Sequence, residues 1–289
     1  MIVEADWTTR QREHQRRVDR LVAAHERRQS RGEPHPIEDF LFTYYVYRPN
    51  QLRRWHPGLG HAIADLSAPH LTWPFYAARD GAVVVDVDEL AVRRGALIEF
   101  VRRLMRSTLD RSARHGCFGM HEWAMVYRQR AEQIRHSAWP LRLPPAQIAH
   151  TVDEGGLRCT HFDAFRFFTA DAVPLNESPL SRDEQLTHEQ PGCLHAGMDL
   201  YKWAYKLAPA TSSELVLDAF ELARDIRYVD MRASPYDLSD LGIEPIAVET
   251  ASGRASYVAH QRAFTERGRP IREQLLAVCE SLSATAAPR

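Results

Sequence analysis

The sequence predicts a mainly α-helical protein with one small β element, a hairpin or a short sheet. Three observations carry that reading. Apolar residues recur at helical spacing through four long segments, capping residues, prolines and glycines bound those segments, and a single stretch, YAARDGAVVVDV, has the make-up of a β-hairpin.

Residues 8–31 open with a Thr N-cap, contain helix formers without internal Pro or Gly, and end at Gly32. Eight arginines stand there against Glu13, Asp19 and Glu26, so this basic helix is either a solvated face or one that meets phosphates. Pro34 and Pro36 break the chain before IEDFLFTYYVYRP, whose apolar and aromatic density predicts a buried helix stopping at Pro49. Residues 50–80 are crowded with Gly, Pro and His and read as loop-rich. Asp80-Gly81 supplies the hairpin turn, and Val83 to Val85 its buried strand. From Asp88 to Arg114, apolar positions at Leu90, Leu97, Ile98, Val101, Leu104, Met105 and Leu109 mark one long helix, with Gly95 as a candidate break.

HEWAMVYRQRAEQIRH predicts a helix with Trp123, Val126 and Tyr127 on its apolar side, followed by a Pro-rich break. LRCTHFDAFRFF alternates roughly and is β-prone, which predicts a strand. A further helix is expected from near Leu194 to about Leu207, between Pro191-Gly192 and Pro209, and SSELVLDAFELARDIRYVDMRA is another, capped by Ser212 or Ser213. ASPYDLSDLG reads as a turn-rich loop, and residues 253–283 as one or two closing helices. The expected organisation is a basic N-terminal helix over residues 1–32 and a single helical domain of catalytic type over 33–289.

The 289 residues, 44% hydrophobic and 26% charged, suffice for a full core. A net charge of −1 argues against a domain held to nucleic acid by an overall basic surface, which leaves the N-terminal helix as the route to such a partner. Cys117, Cys159, Cys193 and Cys279 are scattered without a CxxC pair, which predicts reduced thiols and no zinc ribbon. Apolar runs are too short to span a bilayer and no signal-like segment opens the chain, so a soluble cytoplasmic protein without a membrane partner is expected. Walker, GxGxxG and GxSxG motifs are missing.

Three segments set polar groups among apolar neighbours: His121-Glu122 in GMHEWAMVY, His161 and Asp163 in THFDAFRFF, and His195 with Asp199 in CLHAGMDLYKWAYK. His195 and Asp199 are four apart and share a helix face, which also brings Lys202 and Trp203 near. On the expected strand, His161 and Asp163 are two apart and point to one side. His121 and Glu122 are adjacent and diverge by about 100° on a helix, so one of them, His121 by preference, points fully into a common pocket. The candidate catalytic groups are therefore Asp163, Asp199, His161, His195 and Glu122. His121, His161, His195 and Asp199 are candidate ligands for a divalent transition metal such as iron, manganese or zinc. Tyr201, Lys202 and Trp203, together with Arg232, Tyr236 and Asp237 on the later loop, are candidate substrate contacts. Against this stands a plainer assignment: each histidine meets a backbone carbonyl, each carboxylate meets an arginine such as Arg166 or Arg128, and Asp237 caps the turn that follows it.

The segments FLFTYYVYRPNQLRRWHPG, GMHEWAMVYR, HFDAFRFF, QPGCLHAGMDLYKWAYKL and DMRASPYDLSDLG resemble actinobacterial proteins labelled 3-methyladenine DNA glycosylase. The resemblance covers residues 34 to 265 or so. It implies base excision of an alkylated purine, with Asp163 or Asp199 orienting water and supporting an oxocarbenium-like centre, and with aromatics taking the extruded base. The glycine-rich hairpin of the helix-hairpin-helix glycosylases has no counterpart in the sequence. Two further functions fit the same residues: a metal-dependent enzyme acting on a small metabolite, and a non-catalytic ligand-binding protein.

Overall fold

The computed structural model describes residues 2–130, 134 and 139–285. Among the described residues there are eleven α-helices, which make the chain 58% helical, and one four-stranded sheet holding 7% of residues, the mainly α architecture that the periodicity predicts. In chain order the elements are β1 (Ile2–Glu4), α1 (Trp7–Gln29), α2 (Glu38–Thr43), α3 (Pro49–Leu52), β2 (His61–Ile63), β3 (Tyr76–Arg79), β4 (Ala82–Val85) and α4 (Val87–Leu109). They continue with α5 (Met120–Ala124), α6 (Pro145–Gly155), α7 (Phe162–Phe165), α8 (Gln185–His188), α9 (Leu194–Leu207), α10 (Ser213–Ala233) and α11 (Ala251–Thr285).

The chain divides into two compact units, one made of Met1–Arg106, Asp199–Arg224 and Pro270–Arg289, the other of Ser107–Met198 and Asp225–Arg269. The division falls within α4, α9, α10 and α11. In the first unit the sheet order is β1-β2-β4-β3, with β1 parallel to β2 and the other neighbours antiparallel. The β3–β4 hairpin turns at Asp80 (φ 50°) and Gly81 (φ 75°), the pair of positive φ values that a two-residue primed turn requires. The arginine-rich helix α1 belongs to this unit. Its Val18 and Val22 are fully buried, Arg10 pairs with Glu4 and Glu214, and Arg17 pairs with Asp218 and Glu221. Arg53 returns the contact by holding Asp19 and Glu26 of α1. Half-buried pairs of this kind hold a helix in register more than they stabilise it.

The second unit is built around Trp123, Tyr127, Tyr236 and Tyr257, all buried. Trp123 Nε1 donates to the Ala233 carbonyl (2.8 Å), and Arg142 lies over the Trp123 ring while its guanidinium takes both oxygens of Glu249. All four cysteines are free thiols. Among the described residues no helix is long and apolar enough to cross a membrane.

Helix α9 has the limits read from the sequence, and α10 starts where Ser212 Oγ accepts a hydrogen bond from Leu215 N. Other expectations need correction. IEDFLFTYYVYRP does not form one helix to Pro49. Helix α2 stops before Tyr44, Val46 takes a left-handed φ of 54°, and Pro49 opens α3 at its first turn, because β-branched and aromatic residues extend a helix poorly while proline is suited to N1. Gly95 does not break α4, since the strong helix formers around it outweigh a single glycine costing about 1 kcal/mol. Residues 50–80 contain α3, β2 and β3, and β1 adds a strand at the N-terminal edge that no alternation announced. Most important, LRCTHFDAFRFF is not a strand. His161 is the extended N-cap residue of α7, which carries Asp163 in its first turn. Of the helix expected from HEWAMVYRQRAEQIRH, the described residues form only α5, which ends at Ala124; residues 131–133, 135 and 136 of that stretch lie outside the described residues.

Candidate metal centre

The site lies within the second unit, and three helices build it. His121 comes from α5, His195 from the first turn of α9 and Asp230 from the last turns of α10. Each offers one ligand-type atom, and those three atoms lie within 4.8 Å of one another. His121 Nε2 and Asp230 Oδ1 are 3.2 Å apart without the alignment of a hydrogen bond. The His121 and His195 rings meet edge to face at 4.3 Å between centroids, and His161 stacks on His195 at 5.4 Å.

Local structure explains the placement of His121. Its helix starts at Gly119, whose φ of 72° L-residues with a side chain rarely adopt. A Cβ there would stand 3.2 Å from the ring and hydroxyl of Tyr257, so glycine lets α11 approach the first turn of α5. The Tyr257 hydroxyl is buried with no hydrogen-bond partner, as is Gln261 Oε1 one turn further along α11. Gln261 Nε2 donates to the Gly192 carbonyl just before α9. A cavity of about 20 Å³, room for one water-sized group, runs between Cys117, His121, Cys159, Cys193, His195 and Tyr257.

Behind the three ligand-type groups stands a buried ionic array. Arg227 Nη1 donates to Asp230 Oδ2 (2.9 Å) and to Glu122 Oε1 (2.8 Å), and all three side chains are at most 4% exposed. On the other side, Glu189 Oε2 lies 3.3 Å from His161 Nδ1 and accepts from Gln185 Nε2, while Arg111 holds the Glu189 carbonyl. Burial alone would drive His121 towards its neutral form, but the carboxylate of Asp230 outweighs it and lifts the imidazole above its ordinary pKa. Asp230 is held below the usual carboxylate range: burial opposes ionisation, and His121 overrides it. His195 is held well below its ordinary value by burial and by His121, so it is a neutral imidazole with a lone pair to give. Burial raises Cys117 and Cys193 and pushes Cys159 up to about 12, so all three line the cavity as protonated thiols.

Of the residues singled out from the sequence, His121, His161 and His195 come together here, and Glu122 joins through Arg227. Adjacent His121 and Glu122 both face the interior, because α5 is a short turn enclosed on both sides rather than one face of a long helix. Asp163 and His161 bring ligand-type atoms within 4.8 Å of each other, not as strand neighbours but across the start of α7, and Asp163 is ion-paired with Arg166 and Arg182. Asp199 belongs to the first unit, where Tyr45 Oη donates to one oxygen (3.3 Å) and Lys202 pairs with the other. In that unit Lys202 lies over Trp203, which packs on Phe100, and Tyr201 is buried between Tyr45 and Phe220. Arg232, Tyr236 and Asp237 do not line the cavity. Arg232 Nε holds the Glu244 carbonyl, and Asp237 accepts from Ser239 N, the turn chemistry of the plainer assignment.

Sequence reasoning missed Asp230, Arg227 and Tyr257. One signal was readable: Ala219, Ala223, Ile226, Asp230 and Ala233 form the buried stripe of α10, and a carboxylate in an apolar stripe is costly unless something holds it there. Scans against family models, curated proteins and solved structures found no match for this chain.

Proposed function

We propose that the protein is a metal-dependent enzyme acting on a small substrate, with one divalent transition ion held by His121, His195 and Asp230. The observation that carries this reading is the approach of three ligand-type atoms from three helices, two of them 3.2 Å apart and not hydrogen-bonded to each other. Two ligands about 2.1 Å from one ion at adjacent coordination positions stand about 3 Å apart. Two imidazoles and a carboxylate suit iron, manganese or zinc. Asp230 favours a proton on His121 by raising its pKa, and a bound ion would compete with that proton.

The protein's own groups have distinct parts. Arg227 fixes the Asp230 carboxylate by its second oxygen, and Glu122 anchors Arg227 in turn. His195, the partly exposed member of the three, faces the cavity that a ligand would enter. Tyr257, whose pKa burial raises, offers a neutral hydroxyl able to donate a hydrogen bond at that cavity. A bound ion would supply Lewis-acid polarisation of a substrate oxygen or of water.

N-glycosidic cleavage, the activity implied by the glycosylase resemblance, ranks second. It asks for a carboxylate free to orient water, and the carboxylates of Asp163 and Asp199 are each engaged by cations.

Elemental analysis of purified protein tests the reading. The expected result is close to one transition ion per chain, lost in His195→Ala with little change in melting temperature. Protein that stays metal-free after equilibration with iron, manganese and zinc would overturn it.

A further inference from the structure

The first unit carries a second cleft that the proposed activity does not use. It has a volume of about 320 Å³, within the range of small-ligand sites. Its walls are Tyr47, Trp73, Phe75 and Tyr205 with Arg54, Arg93 and Arg94, and no carboxylate lines it. Tyr47 and Tyr205 stack face to face at 4.6 Å with 14° between their planes. Arg54 lies 5.5 Å over Trp73, and Arg94 lies 4.5 Å over Phe75. Arg94 is fixed by its Nη1, which donates to the carbonyls of Lys206 and Ala208, so it is steered without being neutralised. Phe75, in the lining, has a φ of 66°, a conformation costly for an aromatic residue and found where the surroundings impose it.

We propose that this cleft binds a nucleoside monophosphate, its phosphate on Arg54 and Arg94 and its base against the aromatic wall. Arg93 pairs with Glu89 (3.0 Å), which leaves Arg54 and Arg94 as a positive surplus that a dianion offsets, and arginine presents the planar fork that phosphate oxygens accept. A bare anion would not need four aromatic rings around it, whereas a purine or pyrimidine uses them as stacking surfaces. Gln51, also in the lining, supplies an amide able to read a base edge. Burial, and then the neighbouring Arg93, depress the Arg94 pKa, which is what a cation short of a counter-charge shows.

Calorimetric titration of the full chain at low salt, with AMP, adenosine, inorganic phosphate and a short single-stranded oligonucleotide as separate probes, tests this. AMP is expected to bind at least about tenfold more tightly than adenosine or phosphate alone, because charge-assisted hydrogen bonds and stacking add. Arg54→Gln, at an exposed position, is expected to weaken AMP by about tenfold or more and leave adenosine unchanged. The proposal is overturned if AMP does not bind below millimolar concentration, if adenosine matches AMP, or if Arg54→Gln binds AMP as well as the parent protein. Preference for the oligonucleotide over AMP would also overturn it, and would assign the cleft to a nucleic acid strand.

Discussion

The histidine centre of the second unit and the arginine-lined cleft of the first both gather charge, but they balance it in opposite ways. In the centre, Glu122 and Asp230 face one guanidinium, Arg227, and His195 stays neutral, so the buried array is one positive charge short unless His121 keeps a proton. In the cleft no carboxylate lines the walls: Arg93 pairs with Glu89 outside the lining, Arg94 donates to two carbonyls, and Arg54 and Arg94 keep their charge uncompensated. The sign of the surplus therefore indicates the sign of what each site takes, a cation in one and an anion in the other. The depth of the groups sets how much stability depends on them: burial makes the centre's charges interdependent, while solvent screens the cleft.

The largest expected effect follows from that interdependence. Asp230→Ala should cost about 3–5 kcal/mol in urea unfolding, because it strips a buried partner from both His121 and Arg227. Arg54→Gln in the cleft should stay within about 0.5 kcal/mol of the parent. Similar values for the two would erase the contrast. Next, Arg227→Met should lower affinity for the bound ion by about 10–100-fold, read by competition with a chelator, since it frees the carboxylate that Arg227 orients. An unchanged affinity would reduce Arg227 to a packing element.

A smaller effect sharpens the electrostatics of the cleft. Burial, with His70, His14 and Arg54 around it, pushes His56 down to about 3, and His56 Nδ1 is hydrogen-bonded to Tyr76 Oη. A histidine with a depressed folded pKa leaves stability intact above its unfolded value and loses it as pH falls towards the folded value. The parent should therefore lose up to about 1.4 kcal/mol per pH unit more than His56→Gln on acidification from about pH 6.5 towards 3. Parallel stability profiles for the two proteins would show that His56 protonates freely in the fold.

The sequence revealed the architecture better than it revealed the site. Periodicity and capping locate α4, α9 and α10 because those signals are local, and Asp80-Gly81 specifies its turn for the same reason. The three histidines stood out as polar groups in apolar segments, and they do converge. Spacing pairs His195 with Asp199 one turn along α9 but could not reveal Asp230, which lies 35 residues further along than His195 and joins His121 and His195 only through the packing of α10. The reading of His161 and Asp163 as strand partners failed for a related reason, since β-prone aromatics in FDAF form a helical turn when tertiary packing rewards it. The aromatic cleft was invisible because Tyr47, Trp73, Arg94 and Tyr205 are brought together from four separate stretches.

One feature of the Arg227 clamp bears on coordination chemistry. The guanidinium occupies Asp230 Oδ2 and leaves only Oδ1 facing the histidines. Asp230 would therefore meet a bound ion through Oδ1 alone, and the water-sized cavity beside His121 and His195 would leave room there for one small oxygen ligand.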